Sequence, residues 1–267
     1  MAVLTISREL GSGGHEVGMM LSRNLGYRFV DRERILLRLR AAGHKWEKWT
    51  EGLDEHAPRV WEKYDRSFRG FVAMVQSTIM DEAAADRVVI MGRGANYLLR
   101  GVPFALRVRI VAPLEVRIER ICEREGIDEN SSRMLIERTD RERAGYLLSV
   151  YGSDGKDELD YDLIFDSSKN PFDRIVAEIT AVLPEKDRLA DEKSIKALNM
   201  RALAADIKAS LLTTLPFYMS TLEVEFDGAA IRLSGVVRLP RERTLVMDEA
   251  RKAAGDAPLE FDLKYRQ

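Results

Sequence analysis

Cysteine, histidine, long apolar runs and net charge are all scarce in this chain of 267 residues, and each scarcity excludes something. Cys122 is the only cysteine. No intrachain disulfide can form, and zinc frameworks built on several cysteines are ruled out. That fits a reducing, cytoplasmic setting. The only histidines are His15, His44 and His56. No two of them stand at i and i+4, the spacing that puts two imidazoles on one helix face for a metal. No apolar stretch approaches the ~18–20 residues that span a bilayer. The N-terminus, Met1-Ala2-Val3-Leu4-Thr5-Ile6-Ser7-Arg8, lacks a basic start followed by a long apolar run and reads as mature protein, not as a signal peptide. The formal net charge of −2 excludes a generally basic nucleic-acid coat protein.

What is present divides by period. Up to about residue 184, the short apolar runs Ala2–Ile6, Tyr27–Val30, Val88–Met91, Leu106–Val111 and Tyr161–Phe165 alternate with helical patterns. These runs are continuous, which suits strands of a parallel sheet buried on both faces. Val17, Met20, Leu21 and Leu25 form an amphipathic stripe. Leu114, Ile118 and Ile121 form another after Pro113, a residue suited to a first helical turn. The alternation predicts a three-layer α/β domain with a five-stranded parallel sheet.

Residues 185–200 are charged and irregular, a linker or an exposed helix. Beyond them the period becomes two. Leu222, Val224 and Phe226 alternate with acidic residues, as do Leu259, Phe261, Leu263 and Tyr265 with charged ones; Ile231 and Leu233 flank Arg232. Such patterns predict strands with one packed face. Asp227-Gly228 marks a turn between the first two, and helical patterns cover 201–212 and 241–254. The expected organisation is a domain over 1–184, a linker over 185–200 and a small α-β-β-α-β domain over 201–267. No internal repeat or low-complexity tract interrupts it.

The chemistry begins at the first strand's end. Ser7-Arg8-Glu9-Leu10-Gly11-Ser12-Gly13-Gly14-His15-Glu16 joins that strand to the first amphipathic helix. In this layout backbone N–H groups at a helix N-terminus face an anion, and glycines let it come close. Anchored on Gly13, the G-x-x-x-x-G-K-[ST] pattern finds Arg8 at the first glycine, Gly14 at the lysine and His15 at the hydroxyl. His15 has an N–H to offer a phosphate. A plain strand–helix turn has the same layout; the position after strand one favours phosphate.

From residue 101 to 155 there are nine arginines and no lysine. At least half read as partners of Glu115, Glu119, Glu123 and Glu137 at helical spacing. In Arg138-Thr139-Asp140-Arg141-Glu142-Arg143, however, Arg138 and Arg141 share a helix face, with Asp140 available to orient a guanidinium. A permanently charged fork suits phosphate oxygens and the charge they carry during transfer. The three tryptophans fall within 46–61, followed by Tyr64, Phe68 and Phe71. One packed helix face explains them better than base stacking, with a subunit interface as a middle reading.

Five ordered blocks carry a resemblance. They are Thr5–Gly14, Leu25-Gly26-Tyr27-Arg28-Phe29-Val30-Asp31-Arg32, Gly92-Arg93-Gly94-Ala95-Asn96, Thr139–Tyr146 and Tyr161-Asp162-Leu163-Ile164. With them the chain resembles the bacterial cytidylate kinase-like proteins, relatives of the nucleoside monophosphate kinases. The resemblance implies phosphoryl transfer from ATP, with Mg²⁺, to CMP or a related monophosphate. It assigns Gly11, Ser12, Gly13, Gly14, His15 and Glu16 to the donor, Arg93 and Asp31 to the acceptor, and Arg138, Arg141 and Arg143 to the phosphates. True cytidylate kinases have a loop lysine; this family usually has none, which leaves Arg8 to reach the phosphates or to pair with Glu9 or Glu16. The stretch Asp154-Gly155-Lys156-Asp157 also lacks an expected Asp-Trp. Residues from about 197 resemble a BON domain through strand order and Ile231-Arg232-Leu233-Ser234-Gly235-Val236-Val237, which implies a membrane or protein partner; a generic accessory domain is the alternative. A homodimer, and a nucleotide-binding pseudokinase in place of an active kinase, stay open.

Overall fold

The computed structural model describes residues 2–41, 65–219 and 221–266. His44, His56, Trp46, Trp49, Trp61 and Tyr64 lie outside them.

Five parallel strands form the main sheet: β1 (Val3–Arg8), β2 (Arg28–Val30), β3 (Val88–Met91), β4 (Ala105–Val111) and β5 (Leu163–Asp166), in the order β2-β3-β1-β4-β5. The side chains of β1 and β3 alternate between two cores, which is why those two runs are almost wholly apolar, whereas Arg28, Arg107, Arg109 and Asp162 interrupt the other three. Leu4, Ile6, Val89 and Met91 face one layer, made by α1 (Gly14–Leu25) and α7 (Phe172–Arg188) through Val17, Leu21, Ile175 and Ile179. Val3, Val88 and Ile90 face the other, with α2 (Arg32–Ala41) and α3 (Arg66–Ala84) through Ile35, Leu39, Phe71, Val75 and Ile79. Phe68 and Phe71 are both buried, as a packed helix face requires. A short α4 (Ala95–Leu98) follows β3.

After β4 the chain makes an antiparallel helix pair, α5 (Leu114–Glu125) and α6 (Glu129–Tyr151), sealed by Ile118, Ile121 and Ile136. Gly126 ends α5 in the left-handed region, and the Asp128 side chain accepts from the Ser131 amide to start α6. Only two residues separate Gly126 from α6, so its long arginine-bearing face is fixed relative to the sheet.

The charged stretch 185–200 is mostly helical. α7 runs to Arg188, and α8 (Glu192–Thr214) begins after three intervening residues, capped by Asp191, whose side chain accepts from the Ser194 amide. α8 belongs to both halves of the molecule. Leu198 and Ala202 lie in the core beneath the parallel sheet, packed with α3. Ala204, Ile207 and Leu211 lie in a second core, under β6 (Glu223–Phe226), β7 (Ile231–Val237) and β8 (Leu259–Tyr265), with α9 (Pro240–Ala254). β6 and β7 are antiparallel across the Asp227 turn; β7 and β8 are parallel, joined through α9. The alternating residues Val224, Ile231, Leu233 and Leu263 are buried, while Tyr265 at the end of β8 is exposed. Among the described residues no helix is long and apolar enough to cross a membrane.

Candidate active site

The carboxyl ends of β1, β3 and β4 converge on the loop after β1. In this loop each carbonyl from Arg8 to Gly13 has a donor. Arg143 Nη1 reaches the Arg8 carbonyl at 3.5 Å. The Ser12 hydroxyl donates to Glu9 O at 2.9 Å, Arg117 to Leu10 O at 3.3 Å and Arg120 to Gly11 O at 3.3 Å. Ser167 donates to Ser12 O at 2.6 Å, and the Val17 amide to Gly13 O at 3.0 Å. Gly13 caps α1 with φ 80° and no side-chain cap. The amides of Gly13, Gly14, His15 and Glu16 are therefore the open donors of a helix N-terminus, where an anion is stabilised.

A salt-bridge cage pins the loop to α6. Asp140 accepts from the Leu10 amide at 3.0 Å through one oxygen and from Arg117 at 2.5 Å through the other. Glu9 lies 3.4 Å from Arg109 and 3.7 Å from Arg117. Asp140 thus orients Arg117, not Arg138 or Arg141.

Helical geometry sorts the arginines of α6. Asp140, Arg143, Ala144 and Leu147, at i, i+3, i+4 and i+7, line a hollow of about 240 Å³ with Arg8 and Arg109. Arg138 and Arg141 are exposed on other faces of α6 and do not line it. Of the arginines expected at the phosphates, Arg143 lines this hollow; the structure does not bring Arg138 and Arg141 to it.

Arg8 spans the gap. Its Cβ packs against Gly14, where an added Cβ would meet it at 2.5 Å, and its guanidinium reaches Gly92, where an added Cβ would stand 2.1 Å from Nη1. It does not fold back over the loop. Glu9 is engaged by Arg109 and Arg117, and Glu16 stands 3.9 Å from Arg124.

Opposite Arg8, Gly92, Arg93 and Gly94 run consecutively left-handed at φ 66°, 60° and 71°. For Arg93 this backbone costs on the order of 1–2 kcal/mol, which surrounding bonds must offset. The Gly92 amide donates to Ile6 O (2.9 Å), and the Tyr151 hydroxyl donates to Arg93 O (3.0 Å). Tyr151 is half-buried, and the desolvation of its hydroxyl raises it well above the ordinary tyrosine range, so it stays a donor. Gly94 has no room for a side chain, since a Cβ would meet the Tyr151 ring at 2.0 Å. The turn buries Arg93 beside Ser7, Arg8 and Arg143.

The other expected residues fall as follows. Asp31 caps α2, accepting from the Arg34 amide at 3.1 Å, and does not line the Arg93 cleft. His15 is exposed, with its ring edge-on to Phe29 at 5.4 Å. Ser12 is fully buried and spends its hydroxyl on the loop itself. Gly11, Gly13 and Glu16 line a groove of about 350 Å³ with Arg120, Arg124 and Phe172. Among the described residues no three His, Cys, Asp or Glu side chains converge on a metal position. His15 stands where a hydroxyl ligand belongs, so this position offers Mg²⁺ no oxygen, and the ion's ligands would be substrate phosphates and water. Sequence reasoning missed Glu9, Arg109, Arg117, Arg120 and Asn96 as site residues; the lysine-free arginine run was the available signal for three of them.

An open helix N-terminus after β1 of a β2-β3-β1-β4-β5 sheet defines a P-loop kinase-type α/β domain. The chain belongs to the cytidylate kinase-like family, whose model matches residues 3–169. Cytidylate kinase of Pyrococcus furiosus is 29% identical over 196 residues, covering 73% of this chain and 94% of that protein. Cytidylate kinase of Methanocaldococcus jannaschii is 29% identical over 171 residues, covering 62% and 89%. These relatives are archaeal, whereas the resemblance above was to bacterial proteins. Among solved structures, an uncharacterized protein from Eubacterium ventriosum aligns with a TM-score of 0.54 at 22% identity, over 69% of this chain and 99% of that one. The small β6-β7-β8 sheet lies beyond the family match.

Proposed function

We propose that the chain is a nucleoside monophosphate kinase-like phosphotransferase, moving the ATP γ-phosphoryl group to CMP or a related monophosphate. The observation that carries this reading is the loop: its carbonyls have donors, its helix N-terminus is open, and Arg8, Arg93 and Arg143 line a cleft at the end of the strand that leads into it. The donor's phosphates rest on the amides of Gly13–Glu16, and its base lies in the groove of Arg120, Arg124 and Phe172. An oxygen of the acceptor phosphate attacks the γ-phosphorus while the bond to the β,γ-bridging oxygen breaks, giving ADP and the diphosphate. No side-chain nucleophile is needed, because positioning and charge stabilisation carry the catalysis. Arg8 lies between the two sides and balances charge on the moving group, with Arg143 beside it. The small module at 201–267, read as BON-like, docks on this body through α8 and serves a protein or membrane partner.

The packing of Gly14 against Arg8 favours a second reading, a nucleotide-binding pseudokinase, since a loop lysine has no room there. Calorimetry with ATP, CMP, dCMP and UMP, followed by coupled ADP release, separates the two. ADP release with a monophosphate supports the kinase; nucleotide binding without release under all of them ends it.

A further inference from the structure

The small sheet has one long open edge. In the order β6-β7-β8, β8 is paired on one side only, and among the described residues no strand lies against its other side. The other edge strands of the two sheets, β2, β5 and β6, have only three or four residues, which discourages pairing with another chain. β8 has seven, with no proline, glycine or bulge among them. The ladder shows which of its backbone groups are unused. The Ile231 amide donates to Pro258 O and the Arg266 amide to Val237 O, both at 2.9 Å, and the register between them is unbroken. Residues 258, 260, 262, 264 and 266 therefore turn their amides and carbonyls to β7, and Leu259, Phe261, Leu263 and Tyr265 turn theirs to the open side.

A second β8 laid antiparallel along this edge closes on a two-fold axis. Outward residues must face outward residues, so the axis passes through one residue of the strand, and the side chains decide which. With the axis at Asp262 or Lys264, a charged residue faces its own copy. With it at Phe261, Glu260 faces Asp262. With it at Leu263, Asp262 faces Lys264 and Glu260 faces Arg266, each twice by symmetry, and no like charges meet. On the other face Phe261 then meets Tyr265, whose ring is 46% exposed in the single chain. Glu260 already lies 3.0 Å from Arg232 and Asp262 3.8 Å from Lys264, but all four side chains are more than half exposed and keep room for a partner.

We propose that β8 is a dimerisation edge whose partner is β8 of a second copy of this chain, antiparallel and centred on Leu263, so that two three-stranded sheets become one of six strands. The inference concerns the module beyond the family match and does not rest on the kinase reading, which a monomeric chain leaves standing.

Sedimentation of the full chain over a range of micromolar concentrations reads the association. Lys264→Glu sets carboxylates against Asp262 on both sides of the axis and weakens the dimer about 10- to 100-fold; Asp262→Lys does the same with ammonium groups. The double variant Asp262→Lys/Lys264→Glu restores opposite charges and recovers to within about threefold of wild type. No other register gives two losses and a recovery. Tyr265→Pro removes an amide that faces the open side and not β7, so the module keeps its own ladder while the dimer weakens. Calorimetry checks that each variant is folded. Wild-type hydrogen exchange reads the same edge without a variant: the amides of Phe261, Leu263 and Tyr265 are protected in the dimer and exchange fast on dilution, whereas those of Asp262 and Lys264 stay protected in both. A wild type that sediments as a monomer throughout overturns the proposal. So does a dimer indifferent to the single variants, a double variant as weak as either single one, or fast exchange at Phe261, Leu263 and Tyr265 in the dimer.

Discussion

Asp140→Ala tests whether the cage, and not the loop's own sequence, holds the loop in shape. Its two carboxylate oxygens bind the Leu10 amide at 3.0 Å and Arg117 at 2.5 Å. Hydrogen bonds to charged groups contribute about 1.5–3 kcal/mol each, and two in one cage do not add fully, so the expected loss is about 3–4 kcal/mol. It stays below the sum because Arg117, only 11% exposed, keeps Glu9 at 3.7 Å and Leu10 O as partners. In a protein of this size that shifts Tm by on the order of 10 °C. Asp140→Asn keeps an oxygen for the Leu10 amide and loses the charge, so it falls between the two. Scanning calorimetry reads Tm, and hydrogen exchange reads the bonded loop amides of Glu9, Leu10 and Ser12, which lose protection in Asp140→Ala. ATP affinity falls with them, because amides that no longer converge cannot share one anion. An Asp140→Ala protein melting within about 2 °C of wild type, with unchanged loop exchange and ATP affinity, would refute the reasoning.

Arg143→Ala lowers turnover or nucleotide affinity about 10- to 100-fold, the worth of one charge-assisted contact, while Arg138→Ala and Arg141→Ala stay near wild type; steady-state kinetics on the three variants check the ranking. Arg8→Ala abolishes ADP release while ATP binding on the loop amides persists, and full activity in that variant removes Arg8 from the charge balance. Gly14→Lys lowers thermal stability and does not raise activity, because its Cβ would stand 2.5 Å from that of Arg8. The fifth expectation concerns pH. Burial, then the charge of Asp206, raises Asp81 to about 6 from 3.8, and burial raises Asp206 as well; Arg38, Glu82 and Ser77 complete the surroundings. A raised folded pKa gives stability that is present below pH ~4 and is lost as pH climbs through 6, so Asp81→Asn melts above wild type at pH 7.5 and the gap closes toward pH 4. A gap that does not change between those values contradicts this account of the α3–α8 contact.

The parallel sheet was legible because its strands are buried on both faces, which leaves unbroken apolar runs at Ala2–Ile6 and Val88–Met91 that no half-exposed strand would show. The small sheet was legible for the opposite reason, one wet face and one dry, although Tyr265 keeps the alternation after its cover has ended. The arginines were harder. Periodicity says that Arg138 and Arg141 share a face of α6, but which face meets the loop depends on where α5 sets that helix. Asp140 and Leu10 are 130 residues apart, and no local pattern announces that they meet. Residues 185–200 match the exposed-helix alternative, except that α8 buries Leu198 a turn and a half after its exposed first turn.

The missing lysine changes meaning in this setting. A loop lysine supplies a point charge from the first helical turn and needs space beside the glycine it replaces. Here that space is filled by the stem of Arg8, which leaves β1 one residue before the loop and carries its charge to Gly92. Glycine at 14 and arginine at 8 are therefore one choice, since either the helix or the strand sends the cation across and the two cannot occupy the same volume. A guanidinium delivered from the strand lies nearer the Arg93 turn than the first turn of α1. It is placed to bridge a donor phosphate and an acceptor phosphate more than to cradle the donor alone. On the proposed kinase reading, the loop amides, whose neighbouring carbonyls bind Arg117, Arg120, Arg143 and Ser167, are left as the donor's chief contacts. Binding and transfer would then be carried by different residues, the amides for one and Arg8 for the other, where a loop lysine joins both.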